Sequence, residues 1–338
     1  MNKNLVIKNV DSLEEIRLLV NNVCNYSCSF PETGIKWCHG DGICCGVSSI
    51  YKSASINDFL FLVGSLKKAF GIKKVKIGAM EPLLFAGITE LISGLKNLGC
   101  AEVSLTTNGY FLQNQSKQLR ESGLDTLTVS MHAFSENMYR KITRVDGFDR
   151  VKKSVEEASR LGFRKIKINR VLLNFDGLWD DLMTFFDWAV VNKITAVKLY
   201  QLIWSEGMKG EDYFKNYSPW QALSVFLRRN AYLKEIRRYK MAGRDRLIWE
   251  LKNGLELETD VFYHKFDDKL PDLCRKCNLA PFCQEGLMSY GIEIGPELIV
   301  SGCLLRRKIS LDLWDLVKKR DAEGLVKSLE AFIGKIRK

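Results

Sequence analysis

Cys24, Cys28 and Cys38 fall in the stretch CNYSCSFPETGIKWCHGDGICC (residues 24–45), where C-x3-C-x9-C puts three thiols on one loop. Thiolates ligate zinc and iron–sulfur clusters. Three of them would leave one iron of a 4Fe–4S cubane open for a small ligand, whereas zinc wants a fourth donor, which His39 could supply. The second gap is wider than the two to four residues usual between paired zinc ligands. Cys44 and Cys45 stand as bystanders or as substitutes for Cys38. A second set, Cys274, Cys277, Cys283 and Cys303, has enough thiols to enclose either zinc or a cluster, and its spacing does not decide between them. Cys100 ends a helical pattern just before a strand and is expected in the core.

Ten cysteines with only three histidines in 338 residues point to metal or redox chemistry if the chain works in a reducing compartment. The start, MNKNLVIKNVDSLEEIRLLV, lacks an export pattern, and no apolar run of membrane length is present, so a cytoplasmic protein without a membrane partner is expected. The net charge of +11 is spread among acidic residues. Its local clusters, RRNAYLKEIRRYK and the C-terminal tail, read as solvated helix faces, and no nucleic-acid partner is expected because no recognition module is visible.

Six short β-branched runs alternate with helical patterns from residue 16 onward: IRLLVNN, KVKIGAM, EVSLTTN, TLTVSMH, KIKINRVLL and AVKLYQLI. Each is nearly continuous in apolar character or ends in polar residues, which suits strands covered by helices. Helical stripes run through Phe59, Val63, Leu66 and Phe70; through Ile88, Leu91, Ile92 and Leu95; through Val151, Val155, Ala158 and Leu161; and through Leu178, Leu182, Phe186 and Ala189. Glycines in LGC, SGL and LGF mark helix ends. The pattern predicts an α/β fold, either part of a (β/α) barrel or an open doubly wound sheet, with the polar strand ends lining a site. The alternation stops near residue 205, and a smaller C-terminal domain is expected from about residue 231.

The cysteine loop after strand one, GAMEPLL after strand two, LTTNGY after strand three, VSMHAF after strand four and KINRVLL on strand five together resemble the radical S-adenosylmethionine (SAM) superfamily. Their order is most similar to the branch containing the molybdenum-cofactor GTP 3',8-cyclase and its relatives with a C-terminal auxiliary-cluster domain of twitch or SPASM type. The resemblance spans about residues 14–310. It implies a partial (β/α)6 TIM-type barrel followed by a small C-terminal iron–sulfur domain: a lead-in over 1–15, a radical SAM core over 16–230 and an auxiliary-cluster domain over 231–338.

By the same resemblance, Cys24, Cys28 and Cys38 ligate a 4Fe–4S cluster, and Trp37, Met80, Glu81, Ser130 and Gln201 meet SAM. Arg17, Lys76, Thr106 and Lys167 meet a small anionic substrate, with a phosphorylated nucleotide or nucleoside favoured. Cys274, Cys277, Cys283 and Cys303 hold an auxiliary 4Fe–4S cluster that relays electrons, and a flavodoxin or ferredoxin is the expected donor. The reaction would be an oxidoreductase or lyase step. No side chain is assigned as catalytic, because the cofactor carries the chemistry. Two other readings are a radical SAM peptide maturase and a zinc-stapled nucleic-acid-binding protein without activity.

The chain departs from the branch in several places. SFPETGI widens the ligand spacing by seven residues, and is expected to form a flap over the cluster. Ala79–Met80 replaces a Gly-Gly pair, implying backbone angles open to ordinary residues. His132 stands where many relatives have Asp, and fits a satisfied barrel histidine. The cyclase's arginine-rich run and Gly-Gly tail are missing, so the chain is not read as the cyclase itself.

Overall fold

The first six strands begin where their β-branched runs begin, and each is followed by helix. The computed structural model describes residues 13–30, 52–203, 209–230, 232–241, 244–262, 276–277, 291–303 and 309–336. In chain order it shows β1 (Glu15–Leu18), α1 (Ile56–Phe70), β2 (Lys74–Ile77), α2 (Ile88–Asn97), β3 (Glu102–Thr107), α3 (Leu112–Glu121) and β4 (Thr126–Ser130). Then come α4 (Glu136–Thr143), α5 (Phe148–Ala158), β5 (Lys165–Leu172), α6 (Leu178–Val191) and β6 (Ala196–Gln201). The striped helix faces are buried as expected, with Phe70 and Leu161 at the half-buried margin. Cys100 is buried among them. Gly123 ends α3 at φ 95°, a left-handed turn in which a Cβ would also press on Lys96.

β1 to β6 pair in parallel and in sequence order, the signature of consecutive right-handed βα units. The rest of the chain adds α7 (Gly210–Asn216), α8 (Trp220–Arg229), β7 (Leu233–Met241), β8 (Arg244–Leu251), β9 (Glu256–Phe262), β10 (Gly291–Ile294), β11 (Ile299–Ser301) and β12 (Ser310–Asp312). It closes with α9 (Trp314–Lys318) and α10 (Ala322–Ile336). The sheet order is β12-β11-β10-β1-β2-β3-β4-β5-β6-β9-β8-β7. β10 lies parallel to β1 and β9 parallel to β6, so strands from beyond residue 230 extend both edges of the six-stranded core.

One sequence expectation is corrected here. RRNAYLKEIRRYK reads as a helix face because Leu233, Ile236 and Tyr239 recur every three residues, yet Leu233–Met241 is a strand. The antiparallel ladder with β8 decides its conformation, since tertiary pairing outweighs a short periodicity.

The strands also alternate more strictly than expected. Ile16, Leu18, Val75, Ile77, Val103, Leu105, Leu127, Val129, Ile166 and Ile168 are buried toward the helices. The opposite face, in register, carries Arg17, Lys76, Ser104, Thr106, Thr128, Ser130, Lys167, Asn169 and Lys198. A polar, charged sheet face that leaves the Arg17 and Lys76 side chains 41% and 47% exposed is an open lumen rather than a core. Among the described residues, no helix is long and apolar enough to cross a membrane.

Candidate active site

The cysteine loop leaves β1 and is tied down by its neighbours. Ser27 and Ser29 donate backbone N–H bonds to the Thr143 and Ile142 carbonyls at the end of α4, at 3.1 and 2.8 Å. Arg144 donates to the Ser29 hydroxyl. Between the cysteines, Tyr26 is buried with its hydroxyl 2.6 Å from that of Tyr139. Burial, then the neighbouring hydroxyl, pushes the Tyr26 phenol far up, so it stays protonated. Cys24 Sγ receives the Tyr26 N–H at 3.4 Å and the Asn108 side-chain amide at 3.8 Å. N–H donors at a thiolate sulfur are the contacts that tune cluster potentials. Cys24 and Cys28, both partly buried at the strand end, therefore suit a cluster by donor chemistry. Their expected third partner, Cys38, lies outside the described residues, as do Trp37 and most of the SFPETGI segment.

The loop after β2 is organised by Glu81, whose side chain is 0% exposed. Its carboxylate accepts from Leu83 N–H (2.9 Å), Thr107 Oγ1 (2.7 Å) and Asn108 N–H (2.7 Å). Burial pushes this carboxyl up, against the three donors that favour its charged form. The Glu81 N–H donates to the Val23 carbonyl at 3.0 Å, and Asn21 Nδ2 donates to the Glu81 carbonyl at 2.9 Å. One residue thus pins the loops after β1, β2 and β3 together.

Just before it, Ala79 and Met80 have φ of 58° and 51°, both left-handed. The expectation of ordinary backbone angles is corrected: the pair keeps a turn that glycine would adopt without strain, because hydrogen bonds on both sides dictate the path. After β3, Gly109 has φ 82°, and a Cβ there would sit 2.9 Å from both Val129 and Val151. Only glycine lets Asn108 reach Asn25 (2.7 Å) and Cys24 from this turn.

Below the loops lies the charged lumen. Lys76 pairs with Glu15 at 2.8 Å, and Arg17 approaches the same carboxylate at 3.6 Å. Lys167 is held by both oxygens of Glu258, each at 2.9 Å. Lys198 and Arg246 converge on Asp260 at 2.8 and 3.0 Å. Burial pushes the Lys76 ammonium down to about 8; Glu15 opposes this, while Arg17 and Lys198 add to it. In a flat sheet β2 and β6 would stand about 19 Å apart. The influence of Lys198 on Lys76 therefore reflects a curved sheet.

The sequence-predicted residues thus divide into three groups. Arg17, Lys76, Thr106 and Lys167 share the lumen face, each cation with an internal carboxylate. Met80, Glu81, Ser130 and Gln201 ring the strand ends, with Gln201 donating to the Tyr217 hydroxyl at 2.6 Å. Cys274 and Cys283 lie outside the described residues, while Cys277 and Cys303, the latter just after β11, are partly buried. His132 Nδ1 accepts the Val171 N–H at 3.1 Å, as a satisfied barrel histidine does.

Sequence reasoning missed Asn108, Lys198, Glu258 and Asp260. It also missed the pair of the fully buried Arg170 with Asp181, which holds the loop after β4 by accepting the Phe134 N–H at both carboxylate oxygens. Asn108 stands before a glycine after a strand, and Lys198 keeps the parity of a lumen residue, so both left a signal. Glu258 and Asp260 lie on a strand no pattern marked.

Comparison with known proteins agrees with this geometry. The signature of the radical SAM superfamily matches residues 18–188, just over half of the chain. A protein of Saccharolobus islandicus named probable GTP 3',8-cyclase is 29% identical over 320 residues, covering 94% of this chain and 91% of that one. Its namesake in Sulfurisphaera tokodaii is 28% identical over 309 residues, covering 91% and 86%. Among solved structures, Streptococcus suis SuiB bound to S-adenosylmethionine aligns with a TM-score of 0.61 at 15% identity, a likeness of fold. The alignment covers 91% of this chain, which spans 65% of that one.

Proposed function

The chain belongs to the radical SAM superfamily and is an enzyme, and from that premise we propose that it removes a hydrogen atom from a small anionic substrate, with a phosphorylated nucleotide or nucleoside favoured. Membership sets aside the zinc-stapled, non-enzymatic reading of the cysteines. When bound, a 4Fe–4S cluster and SAM supply a 5'-deoxyadenosyl radical by one-electron cleavage of the sulfonium. Cys24, Cys28 and Cys38 would hold that cluster, with Asn108 and the Tyr26 amide donating to Cys24. Met80, Ser130 and Gln201 at the strand ends, with Trp37, would seat SAM. Glu81 would act indirectly, by holding the turn that presents Ala79 and Met80.

Arg17, Lys76 and Lys167 would attract the substrate's anionic group, with Thr106 beside them. Cys274, Cys277, Cys283 and Cys303 would hold an auxiliary 4Fe–4S cluster, read as an electron relay because four thiolates leave no open iron. The proposed setting is the cytoplasm, with a flavodoxin or ferredoxin as electron donor. The observation that carries this reading is the stacking of two features at one end of the sheet: a thiol loop fed by N–H donors, above a lumen of converging cations.

The test is anaerobic reconstitution, followed by assay of 5'-deoxyadenosine with SAM, reductant and a panel of nucleotides. About eight irons per chain are expected in the wild type and about four in Cys24→Ala or Cys274→Ala. No 5'-deoxyadenosine above background with any nucleotide would sink the substrate class. Zinc in place of iron at the second site would remove the relay.

A further inference from the structure

Arg170 on β5 is fully buried on the helix-facing side of the sheet, and of its guanidinium only Nη2 has a hydrogen-bond partner, the Asp181 carboxylate on α6. Among the described residues Nε and Nη1 have none, and the Phe185 ring lies 5.4 Å from the guanidinium carbon. Two unmatched donors on a buried cation are a cost to the fold. Apolar side chains of similar volume commonly fill such sites with no loss of stability. What this pair contributes instead is local: both Asp181 oxygens accept the Phe134 N–H, at 2.9 and 3.0 Å.

That bond is one of three ties from consecutive positions of β5 to the loop after β4. The Asn169 carbonyl accepts the Met131 N–H at 3.0 Å, and the Val171 N–H donates to His132 Nδ1 at 3.1 Å. Arg170, between them, reaches Phe134 through Asp181. The Phe134 ring lies against Phe185 and Trp188 of α6, with centroids 5.5 and 5.1 Å apart. Residues 131, 132 and 134 are thus all held, directly after Ser130, which stands in register with Asn169.

We propose that Arg170 and Asp181, together with His132, are positioning residues for SAM, fixing the loop after β4 so that Ser130 meets the ligand in one orientation. The proposal deepens the reading of Ser130 as a SAM contact and rests on it. The three side chains act through the backbone of residues 131–134. A ligand met by a pre-organised strand end binds more tightly, because the fold has already ordered its partners. An ion pair kept for geometry implies that stability and SAM affinity separate when the pair is replaced.

The experiment reads affinity and stability without turnover. Full-length, cluster-loaded protein is titrated calorimetrically with SAM in the absence of reductant, and the urea midpoint of each variant is measured. Arg170→Met is expected to lower both, since it leaves Asp181 buried without its cation. The double variant Arg170→Met/Asp181→Leu is expected to restore the urea midpoint to the wild-type value or above it. Phe134 lines an open cavity, where water can meet the amide released from Asp181. SAM is nevertheless expected to bind this variant about tenfold more weakly than wild type. At the other tie, His132→Asn keeps an acceptor in the place of Nδ1 and is expected to stay within about twofold of wild type, whereas His132→Leu loses about fivefold. A double variant that binds SAM as tightly as wild type would overturn the proposal, as would His132→Leu and His132→Asn proteins that bind it alike. Affinity that tracks the urea midpoint across every variant would assign these residues to stability alone and overturn it too. Wild-type protein that carries its cluster but binds no SAM would strike the reading of Ser130, and the proposal with it.

Discussion

Strain at single residues is the most local quantity that this site exposes. Ala79 and Met80 adopt left-handed angles that cost a side-chain-bearing residue about 1 kcal/mol relative to glycine. They are kept there from outside. Gly78 N–H donates to the Leu18 carbonyl on one side, and Glu81 is fixed through its N–H, its carbonyl and its carboxylate on the other. Since Ala79 is exposed, its methyl group contributes little packing to offset the strain. Ala79→Gly is therefore expected to raise stability by about 1 kcal/mol in urea denaturation, with an unchanged slope. A loss of stability would mean that the turn does not hold the left-handed path. Residue preference alone pointed the other way for this pair, because the constraint comes from Val23, Asn21 and Asn108, distant in sequence. At Gly109, by contrast, preference and packing agree, and Asn-Gly after a strand already announces a turn.

Between elements, one carboxylate joins the two ends of the chain. Asp58, 2% exposed at the third position of α1, closes a capping box with Ser55: it accepts the Ser55 N–H at 2.9 Å, and its own N–H donates to Ser55 Oγ at 3.2 Å. Lys318 at the end of α9 reaches the same carboxylate at 2.6 Å and Arg320 at 3.1 Å. Burial pushes the Asp58 carboxyl up, but the bonds from Lys318 and Ser55 outweigh it and hold the group below its usual value. Its stabilising contribution is thus present above the unfolded value near 4 and is lost as pH falls through the lower folded value. Asp58→Asn is expected to cost about 2 kcal/mol at pH 7, discounted for the half-exposed cations. The gap to wild type should close in denaturation curves below pH 4, and a gap independent of pH would assign the effect to shape alone.

The capping box was readable in Ser55-Ile-Asn-Asp58, but its C-terminal partners were not, since nothing local ties residue 58 to residue 318. The same distinction runs through the elements. β1 to β6 and the helix stripes were legible because local periodicity and burial agree there. β7 to β9 were not, because LKEIRRYKM is sorted by its ladder with β8. The lumen was half legible: Arg17, Lys76 and Lys167 recur at strand positions of one parity, while the carboxylates that neutralise them arrive on β9.

At the scale of the whole molecule, the described strands form one sheet, with β9 and β10 flanking the six-stranded core. β9 adds to β6 through Val197–Leu257, Lys198–Glu258 and Leu199–Thr259, and β10 adds to β1 over its full length. Leu257, Thr259, Ile292 and Ile294 are all fully buried. Detaching either strand would expose an edge of the parallel core, and detaching β9 would also leave Lys167 and Lys198 without their carboxylates, a strongly unfavourable state. Partial opening at these edges should therefore cost nearly as much as global unfolding. Native-state hydrogen exchange is expected to put the amides of Leu257–Thr259 and Ile292–Ile294 in the same slowest class as those of β2 to β5. If β9 and β10 instead formed a separate, faster class, they would be a detachable layer, and the charge of the lumen would vary with their docking.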